Sequence, residues 1–221
     1  MYLKETELDP FRGTGEKIEK GETLEEFLEN YDPKKYDCPC NTVDMLIFCK
    51  GEPLRLLLIK RRNHPSIGDW AVPGGFVDIG EDLYDAAKRE LWEETNISDV
   101  PLIQLRTWGE PKRDPRWRVI TTAYLAYIDY DPGAKAGDDA KEALWFDVGL
   151  TPEEPAGEGV LSLTLKNEAA GITLSAEIDY RKHHAGALLS EPSYRILHKT
   201  GLASDHCLLI ADALLKLRSL L

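Results

Sequence analysis

Hydrophobic and polar positions change period several times along the chain, and each change marks an element. Leu24 to Tyr31 repeats its apolar residues at helical spacing and is closed by Asp32-Pro33, which predicts a short amphipathic helix. Thr42 to Lys50 and Leu54 to Lys60 are apolar runs around Gly51-Glu52-Pro53, so a hairpin of buried strands is expected. Trp70 to Val72 predicts a brief strand running into a glycine turn. Leu102 to Trp108, Arg118 to Tyr130 and Ala143 to Phe146 predict three more strands. Val160 to Leu165 and Ile172 to Ile178, joined through residues 167–171, predict an inserted hairpin. A final helix starts at Ser204-Asp205 and carries Cys207, Leu208, Ile210, Ala211, Leu214, Leu217 and Leu221 at helical spacing. The pattern predicts an α/β fold with helices on either side of a mixed sheet.

Residues 1–24 are polar, without a strong period, and read as an N-terminal extension. One domain is expected over 25–221, with 149–201 as its insertion. A length of 221 residues with 43% hydrophobic content suits one substantial core. The net charge of -12 argues against nonspecific binding to nucleic acid or an anionic membrane, both of which need clustered Lys and Arg. No apolar signal segment opens the chain and no run of about 18 apolar residues occurs, so a cytoplasmic protein is expected. Cys49 and Cys207 sit in apolar patterns as packed thiols. Cys38-Pro39-Cys40 lacks a second pair and the usual gap of a metal site.

The richest stretch is Gly75 to Ile97. Pro73-Gly74-Gly75 and Gly80 are turn residues, and Asp82 can cap a helix running to about Thr95. Helical winding puts Leu83, Ala86, Ala87, Glu90 and Glu94 on one face, with Glu93 on its flank. Carboxylates sharing a face with alanines that approach a core need cations. Arg89 can reach Glu93 at i, i+4, but one arginine cannot neutralise Glu81, Glu90, Glu93 and Glu94. A divalent ion can, and an all-oxygen set with room for water suits Mg²⁺ or Mn²⁺ rather than zinc.

A second cluster, Trp108-Gly109-Glu110-Pro111-Lys112-Arg113-Asp114-Pro115-Arg116-Trp117-Arg118, is a local cation on an acidic chain. Arginine forks bind phosphate, and Trp108 or Trp117 offers a face for a base. With Arg61, the arginines Arg113, Arg116 and Arg118 are the candidates for phosphate charge. The acidic run 137–142 offers Asp139 or Glu142 as a general base or further ligand. His64 is placed near the pocket; His183, His184, His198 and His206 are expected as surface or capping groups.

Gly75, Glu81, Arg89, Glu90, Leu91, Glu93, Glu94 and Ile97 stand at the spacings of the Nudix box, so the chain resembles the Nudix hydrolase family. The one departure is Asn96 where the family has glycine; asparagine is the next best residue for a left-handed helix end. The resemblance implies an α/β/α sandwich and a metal site at Glu90, Glu94, Glu93 and Gly75. It also implies a general base at Glu93 or in the later acidic loop, with Arg89 bracing the carboxylates. The wording of the arginine cluster and of His64 to Gly75 is similar to ADP-ribose pyrophosphatase-like members and to regulators that sense ADP-ribose. That similarity implies a nucleoside diphosphate substrate, most specifically ADP-ribose. It also implies a homodimer, with the inserted hairpin or the first 24 residues as contact. The regulators carry a winged helix after the Nudix domain, whereas this chain reaches Leu221 directly after its closing helix, so catalysis is expected over DNA binding. The alternatives are a housecleaning hydrolase of another nucleotide and a non-catalytic sensor.

Overall fold

The alternation of apolar residues in the first long strand decides how the layers stack. The computed structural model describes residues 2–14, 16–18, 20–137, 140–155, 157–186 and 189–220. The chain divides into two compact units, Met1–Cys38 and Pro39–Leu221. In the first, two short 3-10 turns precede α1 (Leu24–Asn30). Its start is a capping box: Glu26 N donates to Thr23 Oγ1 at 3.3 Å, and Thr23 N donates to Glu26 Oε2 at 2.9 Å.

The second unit is one sheet with two helices. β1 (Cys40–Cys49) is buried from Thr42 onward and lies mid-sheet. It pairs antiparallel with β2 (Arg55–Arg61), as the hairpin pattern predicts, and through Gly74–Phe76 with a short strand after the glycine turn. β3 is Trp70–Ala71 beside β2, and β4 is Gly74–Phe76. After α2 (Leu83–Thr95) come β5 (Ile103–Trp108) and β6 (Val119–Ile128), the latter parallel to β1 from Cys40↔Val119 to Cys49↔Ile128. Val43, Met45 and Ile47 of β1 pack with Ala86, Ala87 and Leu91 of α2. Leu46 and Phe48 join the core that includes α3 (His206–Arg218). The period of two thus yields the expected α/β/α layering.

β7 (Ala140–Thr151) is longer than its expected four-residue centre, and the segment after it holds the expected hairpin and one strand more. The two predicted strands are β8 (Glu158–Asn167) and β9 (Ile172–Ala185), and β10 (Leu189–Thr200) follows them. All three continue the main sheet, in the order β10-β9-β8-β7-β2-β1-β6-β5. The pairs Val148↔Leu165 and Leu150↔Leu163 anchor β8 on β7, and Leu161, Leu163, Leu165, Leu174, Ala176 and Ile178 join the α3 core. β8 and β9 pair antiparallel from Asn167↔Ile172 to Glu158↔Arg181, which is the expected hairpin, and it extends the main sheet because its inward residues are in phase with β7.

The sheet curls so that Arg106 of β5, one end of the order, reaches β10, the other. Its Nη2 donates to Glu191 Oε1 at 2.8 Å and its Nη1 to Pro192 O at 3.3 Å. Among the described residues, no helix is long and apolar enough to cross a membrane.

Candidate active site

The glycine turn and α2 build the site together. Asp82 caps α2, its Oδ1 accepting from Tyr84 N at 2.8 Å, and Asn96 ends it in the left-handed conformation (φ 55°) that the resemblance assigns to this position. A side chain on Gly75 would place its Cβ 2.2 Å from the Glu90 carboxylate, so glycine here leaves that carboxylate its place. Gly74 N donates to Glu94 Oε2 at 2.8 Å.

Arg89 braces the acids. Its Nε and Nη2 donate to the two oxygens of Glu81, both at 2.8 Å, and Nη2 also donates to Phe76 O at 2.9 Å. Nη1 donates to Glu90 Oε1 at 2.7 Å and Glu93 Oε2 at 3.1 Å. Hydrogen bonding to Arg89 holds Glu81 below the usual carboxylate range. Burial nevertheless pushes Glu90 up against that arginine. Glu94, 7% exposed, is pushed up to about 8, first by burial and further by Glu90 and Asp44, against the pull of Gly74 N and Arg61.

Glu90 and Glu94 line a cavity of ≈ 420 Å³ together with Asp44, Arg61, Arg62, Arg113, Arg116 and His206. Asp44 accepts from Thr121 Oγ1 at 2.6 Å and lies 3.7 Å from Arg113 Nη2. Arg113 is held by a two-point bond to Asp205, both contacts at 3.0 Å. Arg61 Nε donates to Pro65 O at 2.7 Å. His206 corrects the expectation of a surface or capping group: it is buried, and Nδ1 accepts from Val72 N at 3.1 Å. Burial holds its pKa below the ordinary histidine value, and with Nδ1 accepting, the ring proton of the neutral form sits on Nε2.

The structure brings Glu90, Glu94, Gly75, Arg89, Arg61, Arg113 and Arg116 to this cavity. Glu93 lines a neighbouring hollow with Trp92 and Gly137 instead. Glu142 takes Lys60 Nζ at 2.9 Å and is not among the cavity residues. Trp108, Trp117 and Arg118 do not line it either: Trp108 stands against Tyr194, ring centroids 5.8 Å apart, because it faces the β-extension. Asp139 lies outside the described residues. Asp44 and His206 were not singled out for the site from sequence. Asp44 leaves a signal, a lone carboxylate inside an apolar strand; His206 leaves none, because its partner is a backbone amide 134 positions away.

Gly137 also bears on α2. Its N donates to Glu94 O at 2.9 Å, Lys135 N donates to Thr95 O at 2.9 Å, and a Cβ on Gly137 would meet Glu93 O at 1.7 Å. The segment before β7 thereby caps the last helical carbonyls.

Among the described residues no three Asp, Glu, His or Cys side chains converge into a protein-only metal cage. The oxygens of Glu90 and Glu94 on an open cavity fit a hard cation that keeps most of its water shell, as Mg²⁺ does. Acids and arginines around one cavity can bind an anionic diphosphate.

The comparisons agree with that chemistry. A model of the NUDIX domain matches residues 40–162. The ADP-ribose pyrophosphatase of Methanocaldococcus jannaschii is 40% identical over 130 residues, 57% of this chain and 74% of that protein. The ADPR responsive transcriptional repressor NtrR of Acinetobacter baylyi is 42% identical over 122 residues, covering 54% of this chain and only 49% of the repressor. Among solved structures, the NUDIX domain of Shewanella oneidensis NrtR complexed with ADP ribose superposes with a TM-score of 0.62 at 27% identity, over 89% of this chain and 99% of that one. On these matches and on the Gly75 to Ile97 geometry, the chain belongs to the Nudix family.

Proposed function

We propose that this chain is a metal-dependent pyrophosphohydrolase that cleaves a nucleoside diphosphate derivative, ADP-ribose to AMP and ribose 5-phosphate. The observation that carries it is the pair Glu90 and Glu94, half-buried and buried, both with raised pKa values, in a cavity they share with five arginines. Mg²⁺ or Mn²⁺ is the cofactor, held by Glu90 and Glu94 and completed by water; when bound it would neutralise phosphate oxygens and acidify water. Arg89 keeps Glu90 oriented through its four-acid-oxygen brace. Arg61 supplies charge for the diphosphate, and Arg113, its fork closed on Asp205, adds only its field. Water attacks phosphorus, the bridging P–O bond breaks, and the proton leaves to a carboxylate base. Glu93 is the base in this reading: it stands in the neighbouring hollow, joined to Glu90 through Arg89 Nη1, with its side chain 43% exposed, whereas Glu142 is paired with Lys60.

The relation to a pyrophosphatase and to an ADP-ribose complex supports the substrate. The relation to a repressor favours a second reading, a nucleotide-sensing Nudix domain. The test is release of AMP from ADP-ribose with Mg²⁺, wild type beside Glu94→Gln, against nucleoside triphosphates and dinucleotides. Turnover of ADP-ribose that the variant loses supports the hydrolase. Cleavage of another nucleotide alone makes it a housecleaning enzyme, and tight binding without any turnover makes it a sensor.

A further inference from the structure

The sequence predicts Arg116 as a phosphate fork, but in the structure that fork is filled from within. Its Nε and Nη2 donate to the two oxygens of Asp114, at 3.1 and 2.8 Å, and its own backbone N donates to the same carboxylate at 2.8 Å. A guanidinium tied at two points along one edge, with its backbone N on the same carboxylate, has its plane set, and the edge that would fork a phosphate through Nε and Nη2 is taken. The guanidinium carbon stands over the Phe76 ring, 4.9 Å from its centroid. The Arg116 side chain is still 44% exposed and Phe76 42%, and both line the cavity that holds Glu90 and Glu94. A flat cation pinned edge-on, with an aromatic ring beneath it and open space at its side, is a stacking surface. Of the two expected stacking faces, Trp108 is committed elsewhere, with the Arg106 guanidinium 4.8 Å from its ring and Tyr194 beside it, and Trp117 is not among the cavity residues.

We infer that Arg116, backed by Phe76 and held flat by Asp114, is the platform on which the nucleobase of the substrate stacks, so that it selects a nucleoside diphosphate over a simple sugar diphosphate. The inference rests on the hydrolase proposed above and names how its site reads the base. Arg116 here is a specificity residue; no bond forms or breaks on it.

Two phosphomonoesters separate the base from the phosphate: AMP, which carries the base, and ribose 5-phosphate, which does not. Calorimetry would give their affinities for the wild type, Arg116→Ala, Arg116→Lys, Phe76→Leu and Phe76→Tyr, beside ADP-ribose turnover for each. Stacking on this platform predicts that Arg116→Ala and Phe76→Leu each weaken AMP about tenfold and raise KM for ADP-ribose to match, with ribose 5-phosphate changed less than about twofold. Phe76→Tyr, which keeps the ring, restores AMP affinity, and Arg116→Lys, which keeps charge but not the plane, does not. If lysine restores it, or if both ligands weaken alike, Arg116 is a point charge for phosphate and the platform is overturned. A wild type that binds AMP without cleaving ADP-ribose sinks the hydrolase alone, because the AMP comparison still decides the platform. A wild type that binds neither AMP nor ADP-ribose overturns the platform as well.

Discussion

Two carboxylates of this fold are buried to nearly the same degree, Glu94 of α2 at 7% exposed and Asp212 of α3 at 8%, yet they are treated in opposite ways. Asp212 has protein partners on its carboxylate: Tyr194 Oη donates to it at 2.8 Å, and Arg106 Nη1 at 3.4 Å. Burial raises Asp212, and both partners pull against that rise. Glu94 has one backbone N–H and borders a cavity, and burial carries it to about 8. A buried charge that the chain compensates is part of the scaffold; one left under-compensated beside an opening is set for a ligand the chain does not encode.

The largest expected effect breaks the second case only. Glu94→Gln should cut ADP-ribose turnover about a thousandfold, roughly 4 kcal/mol of barrier, while the fold stays intact by circular dichroism. Next comes stability against pH in chelated protein. Glu94 is raised in the folded state, so below about pH 4.5 it is protonated whether folded or not and costs nothing. As pH climbs, the unfolded chain ionises first, and stability falls until about pH 8, where folded Glu94 ionises too. Denaturant midpoints should record a loss on the order of 3 kcal/mol over that window, absent in Glu94→Gln and flattened by saturating Mg²⁺.

Asp212→Ala should do the reverse of Glu94→Gln. It leaves Arg106 and Tyr194 facing a gap and should cost about 3 kcal/mol in urea unfolding with KM for ADP-ribose little changed. If turnover collapses before stability does, Asp212 belongs to the site and the contrast fails. The smallest effect tests the brace: Arg89→Lys retains a charge but loses the two-point grip on Glu81, and kcat should fall about tenfold.

The α2 site was legible because its information is local. Acids at i, i+3 and i+4 beside small apolar residues declare both the helix and the conflict within it, and Asn96 declares its end. β10 was not legible: Pro192, charged residues and an exposed face blur its alternation, and only pairing such as Tyr194↔Tyr180 organises it. The arginine cluster was legible as charge and not as assignment. Whether Arg113 or Arg116 has a free fork depends on Asp205, 92 positions away, in one case and on Asp114, two positions away, in the other. Trp108 was misplaced for the same reason, since its neighbours come from a sheet extension whose third strand the pattern did not show.

Gly137 carries a lesson for anyone who compares variants of this chain. With the Glu93 carbonyl filling the space a methyl group would need, mutational scanning should find the position as intolerant as the acids of α2. Intolerance there would report the fit of a strap against a helix end, and a map of sensitive positions would draw the active site one residue too large.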